Sequence, residues 1–385
     1  MNKSNLYIIL LLGFTINCLG QNISINYDID TTVFKVAEPL NLWLDFLNTK
    51  DDSIGAKYWN SDEVEKYGND SYFLIERELQ FGIDNYLQLL SYSNIKVLSI
   101  RKIMEYYKIT SLMEFSQKEN TSNIQYIFHV YAAQENGELK LFNPLPINSD
   151  LYFFSSIVGF IKFHYPKVHN FNYRLAKKQI DFLESISKNF DVPIDTIDYY
   201  FASSVEEIQK IKGFDFIIGD NGNQIASGKA DSKNRIVYSS GLDEYYPHEF
   251  IHILLNPYYP NCHFWINEGV ATYFGMSRGK DLDWHLIRLN KHLIQHPEID
   301  LNNMLKLRSL DQYTDYRYVL GGFIISMAYE KGGFELIKIL MNAGKTDEDF
   351  YSAIENYLEI RKENLNQYIR TALETTYNNI NKKKN

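Results

Sequence analysis

The segment His248-Glu249-Phe250-Ile251-His252 sets two imidazoles four positions apart with a carboxylate between them. On a helix, residues four apart share one face, so both imidazoles can reach one ion while Glu249 projects beside them. Imidazole nitrogens are good zinc donors. A zinc ion held this way acidifies a water molecule and polarises a carbonyl, and a neighbouring glutamate can take the proton. The pattern therefore predicts His248 and His252 as metal ligands and Glu249 as a general base.

Fifteen residues separate His252 from Glu268, which lies in a second distinctive run, Trp265-Ile266-Asn267-Glu268-Gly269-Val270-Ala271-Thr272-Tyr273-Phe274. With this pair of segments the chain resembles the gluzincin zinc metallopeptidases, especially their aminopeptidase-N-like branch. The resemblance is strong over 247–275, weaker from about 150 to 345, and does not cover 21–148. It implies that a second helix carries the third ligand in an Asn-Glu-Gly-x-Ala context, which makes that ligand Glu268 and the cofactor one Zn2+. It also implies a tyrosine in a Tyr-x-x-Gly helix start that stabilises an oxyanion. Tyr318-Val319-Leu320-Gly321 looks like that segment, with Tyr316 as the alternative donor. The His252-to-Glu268 spacing is a few residues shorter than the family's, so the connecting loop is expected to be tighter. The family's Gly-x-Met-Glu-Asn stretch, which binds a substrate's free amine, is missing. Gly228-Lys229-Ala230-Asp231 occupies a comparable place without the glutamate.

Cys262 and His263 lie between the two segments and are zinc donors by chemistry. Neither fits the spacing of another zincin class, and a loop role is expected for both. His129, His164, His169, His285, His292 and His296 belong to no motif and are given no role.

The elements that must position these groups predict an α+β chain. Ile157 to Tyr165 alternates like a strand. Tyr173 to Phe190 carries apolar residues at helical spacing. Thr196–Ala202, Phe214–Ile218, Gln224–Ala226 and Arg235–Tyr238 read as strands, and Val205–Ile211 as a short helix. From Pro247 onward the pattern is helical. Proline suits the first helical position, so the motif helix is expected to begin there, with His248 in a first turn that holds it less rigidly. A helix over Phe323–Tyr329 is expected to stop at Lys331-Gly332-Gly333. An edge strand around Gln224 to Lys229 could pair with an extended peptide. A mixed sheet followed by helices matches the gluzincin-like catalytic domain that the resemblance implies, assigned to 149–385.

Residues 21–148 read as a separate α/β domain of unknown role. Ser71 to Tyr107 is helix-compatible. Asn123 to Phe142 reads as a hairpin turning at Asn136-Gly137. Asn143-Pro144-Leu145-Pro146 breaks the pattern and marks the boundary.

The chain has 385 residues, 45% hydrophobic and 23% charged, an ordinary globular balance for two domains. Its net charge of -9 and lack of a basic block argue against nucleic acid as a partner. Lys3, the apolar run Leu6–Ile16 and Cys18-Leu19-Gly20 read as a signal peptide, residues 1–20, cut before Gln21. A lipid anchor on Cys18 is the alternative. The expected protein is exported, periplasmic or secreted, without a membrane span after cleavage. Its only other cysteine is Cys262, so no intrachain disulfide is expected. The expected function is zinc-dependent hydrolysis of peptide bonds in a peptide or protein substrate. The alternative is a non-catalytic exported binding protein that keeps a gluzincin-like zinc shell.

Overall fold

The computed structural model describes residues 22–26, 29, 36–49, 52–68, 93–116, 122–218, 227–241 and 243–384. The signal peptide read at 1–20, the cut before Gln21, the helix-compatible stretch 71–92 and the strand read at Gln224–Ala226 lie outside these residues. The strands are β1 (Asn22–Ile25), β2 (Ser93–Ile103), β3 (Tyr106–Ser116), β4 (Ser122–Glu135), β5 (Glu138–Phe142), β6 (Phe153–Val158), β7 (Ile161–Pro166), β8 (Ile197–Ala202), β9 (Phe214–Ile217), β10 (Ser227–Asp231) and β11 (Ile236–Ser240). With the helices below, they make the chain mixed α/β with two mixed sheets, consistent with an α+β class.

The chain divides into two compact units, Met1–Pro144 with Phe214–Ile218, and Leu145–Gly213 with Gly219–Asn385. In the first, β1 to β5 lie side by side in order and β9 pairs with β4. The strand Phe214–Ile217 therefore belongs to the first sheet, although the sequence order suggested the second. Asn136 and Gly137 both have positive φ, which the two-residue turn between β4 and β5 requires. Residues 93–107 are not helical as expected. They form β2 and the start of β3, where Ile95, Val97 and Ile109 bury against Trp43, Phe46 and Leu47 of the helix α1 (Ala37–Asn48). The two-residue period won over a weak helical reading. Among the described residues α2 is Ser61–Tyr67, and Pro144, at the break between the two units, opens the helix α3 (Pro144–Tyr152).

In the second unit the sheet order is β10-β11-β8-β7-β6. Strands β11, β8 and β7 are parallel, and β10 and β6 flank them antiparallel. The segment read as one strand over 157–165 is a hairpin, because Gly159 turns at φ +58 between β6 and β7. Ile161, Phe163, Tyr199, Phe201 and Val237 alternate onto one face of the sheet and join one core. The helix α4 (Tyr173–Phe190) packs into that core through Ala176, Ile180, Leu183 and Ile186, which recur at helical spacing. Asn172 caps it by accepting from the Leu175 N–H. The short helix α5 (Val205–Ile211) follows β8 as expected.

Helices dominate after Pro247: α6 (Pro247–Leu255), α7 (Phe264–Gly275), α8 (Leu282–Gln295), α9 (Tyr316–Met341), α10 (Asp347–Ala353) and α11 (Leu365–Lys384). Pro247 stands at the start of α6, as its chemistry dictates. α9 differs from expectation at both ends. It begins at Tyr316 because Asp315 caps it, accepting from the Arg317 N–H at 2.9 Å. Gly332 and Gly333 break its geometry, yet the chain re-enters helix and continues to Met341. Among the described residues no helix is long and apolar enough to cross a membrane.

Candidate metal centre

α6 and α7 bring three donors together. One ligand atom from each of His248, His252 and Glu268 lies within 4.8 Å of the others, and all three residues are buried. Glu268 Oε2 stands 3.3 Å from His248 Nε2 and 3.4 Å from His252 Nε2. The two imidazoles meet edge to face at 5.1 Å, as a four-residue helical step places them. Two neutral-nitrogen donors and a carboxylate facing one point form a set that could hold a metal ion.

The electrostatics follow from burial and convergence. Burial pulls His252 down, but its hydrogen bond to Glu268 and the charges of Glu268 and Glu249 outweigh that and raise its pKa to about 9. Burial pushes Glu268 up, but hydrogen bonds to His248 and His252 hold it far below the usual carboxylate range.

His248, the first of these candidate donors, has a hold on its far side. His248 Nδ1 donates to the carbonyl of Met276 at 2.6 Å, so its other nitrogen is left to face Glu268. The first turn of α6 alone does not hold this ring; the end of α7 does. Gly275 makes that approach possible, since a Cβ there would meet the backbone nitrogen of His248 at 2.8 Å. His252 Nδ1 and Asn267 Oδ1 are both buried without a hydrogen bond of good geometry. Asn267 adds a small upward push on the pKa of His252.

Glu249 is nearly buried beside the ligands. Its Oε1 accepts from the hydroxyl of Tyr246 at 3.3 Å. Burial, then the charge of Glu249, pushes that hydroxyl well above its ordinary pKa, which keeps it a donor. Gly228, on β10, lies against both: an added Cβ would collide with the Tyr246 ring and come within 2.6 Å of Glu249 Cγ. The described part of the edge strand noted in the sequence, from Ser227, thus runs beside Glu249.

Tyr318 is half-buried, with its ring edge-on to His248 at 5.8 Å. Burial, then the charge of Glu268, raises its hydroxyl to about 12. Tyr316 is buried with its ring toward His292. What brings Tyr318 here is a glycine contact. α7 and α9 cross where Gly269 meets Gly321, and a Cβ on Gly269 would stand 2.5 Å from the Gly321 carbonyl.

Cys262 and His263 stay outside the donor group. His263 caps α7, its Nδ1 accepting from the Trp265 N–H at 3.2 Å. Burial pushes the Cys262 thiol to about 12, far from the thiolate a metal needs. Three histidines given no role make ordinary contacts. His285 bridges Thr314 and the Ser277 carbonyl, His164 meets Asp198, and His169 meets Glu244.

Sequence reasoning overlooked Met276, Tyr246 and the steric part of Gly228. Met276 acts through its carbonyl, which no residue type announces. Comparison with protein-family models and with curated proteins finds no match for this chain.

Proposed function

We propose that the protein is a zinc-dependent peptidase of the gluzincin kind, exported and acting on a peptide or protein substrate. The observation that carries this reading is the convergence of His248, His252 and Glu268 with Glu249 one residue beyond the first ligand. The two nitrogens, one carboxylate and burial suit zinc, and three protein ligands leave the open position that a catalytic site needs. When bound, the ion would supply Lewis acidity to a carbonyl oxygen and to water.

The chain's own residues would do the rest. Glu249 accepts the proton of the attacking water and returns it to the departing amine. Tyr318 donates its hydroxyl to the developing oxyanion. β10, an edge of its sheet with Gly228 beside Glu249, offers backbone groups to an extended peptide. Without the amine-binding glutamate of the aminopeptidases, nothing favours a free N-terminus over an internal bond.

The test is metal analysis of the purified protein with a peptide-library digest, comparing wild type with Glu249→Gln. Glutamine keeps the shape and cannot take the proton. Zinc should stay and cleavage should fall by about a hundred- to ten-thousand-fold. Tyr318→Phe should lose less, roughly ten- to a thousand-fold, since one donor is removed while the carbonyl stays polarised. Zinc binding without cleavage of any library peptide would favour the non-catalytic binding protein. Cleavage undiminished in Glu249→Gln would place the chemistry elsewhere.

A further inference from the structure

We infer that Tyr246 is the positioning residue for Glu249, holding one carboxylate oxygen so that the other is presented to the reacting water. The inference rests on the metallopeptidase reading and assigns a role outside the two sequence motifs.

A glutamate side chain turns about three bonds, and each loose bond dilutes the geometry that a general base needs. The Tyr246 hydroxyl removes that freedom by bonding Oε1 at 3.3 Å. The hydroxyl is itself fixed by contacts that do not involve Glu249. The Tyr246 ring lies nearly parallel to that of His248, at 6.3 Å and 15°. Its edge abuts the backbone of Gly228, where no side chain fits. Its backbone N–H donates to Gln179 Oε1 at 3.0 Å, and Gln179 is fully buried on α4. Pro247 then restricts the step from Tyr246 into the motif helix. A phenol placed this firmly locates the carboxylate that it bonds, much as an outer partner orients a metal ligand.

A ring that merely fills the core would give its hydroxyl to the nearest acceptor, with no consequence for Glu249. Tyr246→Phe separates the two cases, because phenylalanine keeps the ring and its packing and loses only the bond. The comparison needs wild type, Tyr246→Phe, Glu249→Ala and the double variant, each loaded with zinc for cleavage and with Co2+ for visible spectra. Metal content and melting temperature should be unchanged in Tyr246→Phe. Its kcat should fall roughly ten- to a hundred-fold with KM unmoved. Its cobalt spectrum, which reports the field around the ion, should shift. In the Glu249→Ala background the same change should add little to either readout, because the side chain that takes the bond is gone.

The proposal is overturned if Tyr246→Phe matches wild type in spectrum and kcat. It is equally overturned if the effect of Tyr246→Phe persists in full beside Glu249→Ala. A protein that cleaves nothing but shows coupled cobalt spectra would remove the peptidase reading and keep Tyr246 as the partner that sets Glu249.

Discussion

His248 Nδ1 donates a 2.6 Å hydrogen bond to the carbonyl of Met276, whose backbone stands at φ +67 and ψ 173. That region of backbone space belongs almost wholly to glycine, and a side chain there costs about 1–3 kcal/mol. The strained turn at the end of α7 aims its carbonyl at the first ligand of α6. Strain at one residue is thus coupled to the orientation of another, 28 positions away in sequence.

Met276→Gly should therefore be tolerated. The carbonyl stays, the strain goes, and the added freedom of the unfolded chain takes back roughly 0.5–1 kcal/mol. Melting temperature should hold or rise, with zinc content unchanged. A large loss of stability in thermal denaturation would mean that the half-buried Met276 side chain contributes more by packing than its backbone costs.

Gly321→Ala should behave oppositely. The new methyl would press on the carbonyl of Trp265 and on Gly269, so backbone rather than a pliable side chain must move. Overpacking of this kind costs about 1–3 kcal/mol. It also pushes α9 from α7, which carries Tyr318 away from His248. The expected result is a lower melting temperature with zinc retained, and a loss of cleavage resembling that of Tyr318→Phe. Full stability and full activity would show that the helices are free to slide apart.

The candidate donor group was legible because its parts are side chains at helical spacing. His248, His252 and Glu249 follow from one period, and Glu268 from its Asn-Glu-Gly-x-Ala context. Most strands and helices of the second unit were legible for the same reason, since Tyr173–Phe190 and Val205–Ile211 carry plain apolar periodicity. Three things were hidden. The hairpin at Gly159 was masked because Ile157-Val158 and Phe160-Ile161 flank the glycine and the alternation reads straight through it. β2 was hidden because its alternation is mixed with Lys96 and the Arg101-Lys102 pair. The pairing of β9 with β4 is a long-range choice that no local pattern encodes. The hold on His248 was hidden too, because a carbonyl and an absent Cβ leave no chemical trace in a sequence.

Removal of single donors should rank the ligands. His252→Ala and Glu268→Ala should each lose most of the zinc measured after dialysis, because each leaves two donors. Cys262→Ser should keep it, since the thiol lies outside the donor group and burial holds it protonated. Zinc lost from Cys262→Ser but kept in Glu268→Ala would reverse the ligand assignment.

The first unit carries a pH dependence of its own. Glu63 lies in α2, where burial lifts its pKa to about 7 despite two 2.9 Å hydrogen bonds from the backbone and side chain of Asn143. The folded pKa is above the ordinary 4.5, so the folded state holds the proton more tightly than the unfolded one. The resulting stability is fully present below about 4.5 and is lost as pH rises through 7. A shift of this size corresponds to about 3 kcal/mol. Glu63→Gln cannot ionise, and its amide oxygen still accepts from Asn143. Amide exchange of β3 and β4 should therefore show the wild-type unit opening more readily at pH 8 than at pH 5, and the variant much less so. The same slope in both proteins would mean that another group carries the dependence and that Glu63 is charged in its buried place.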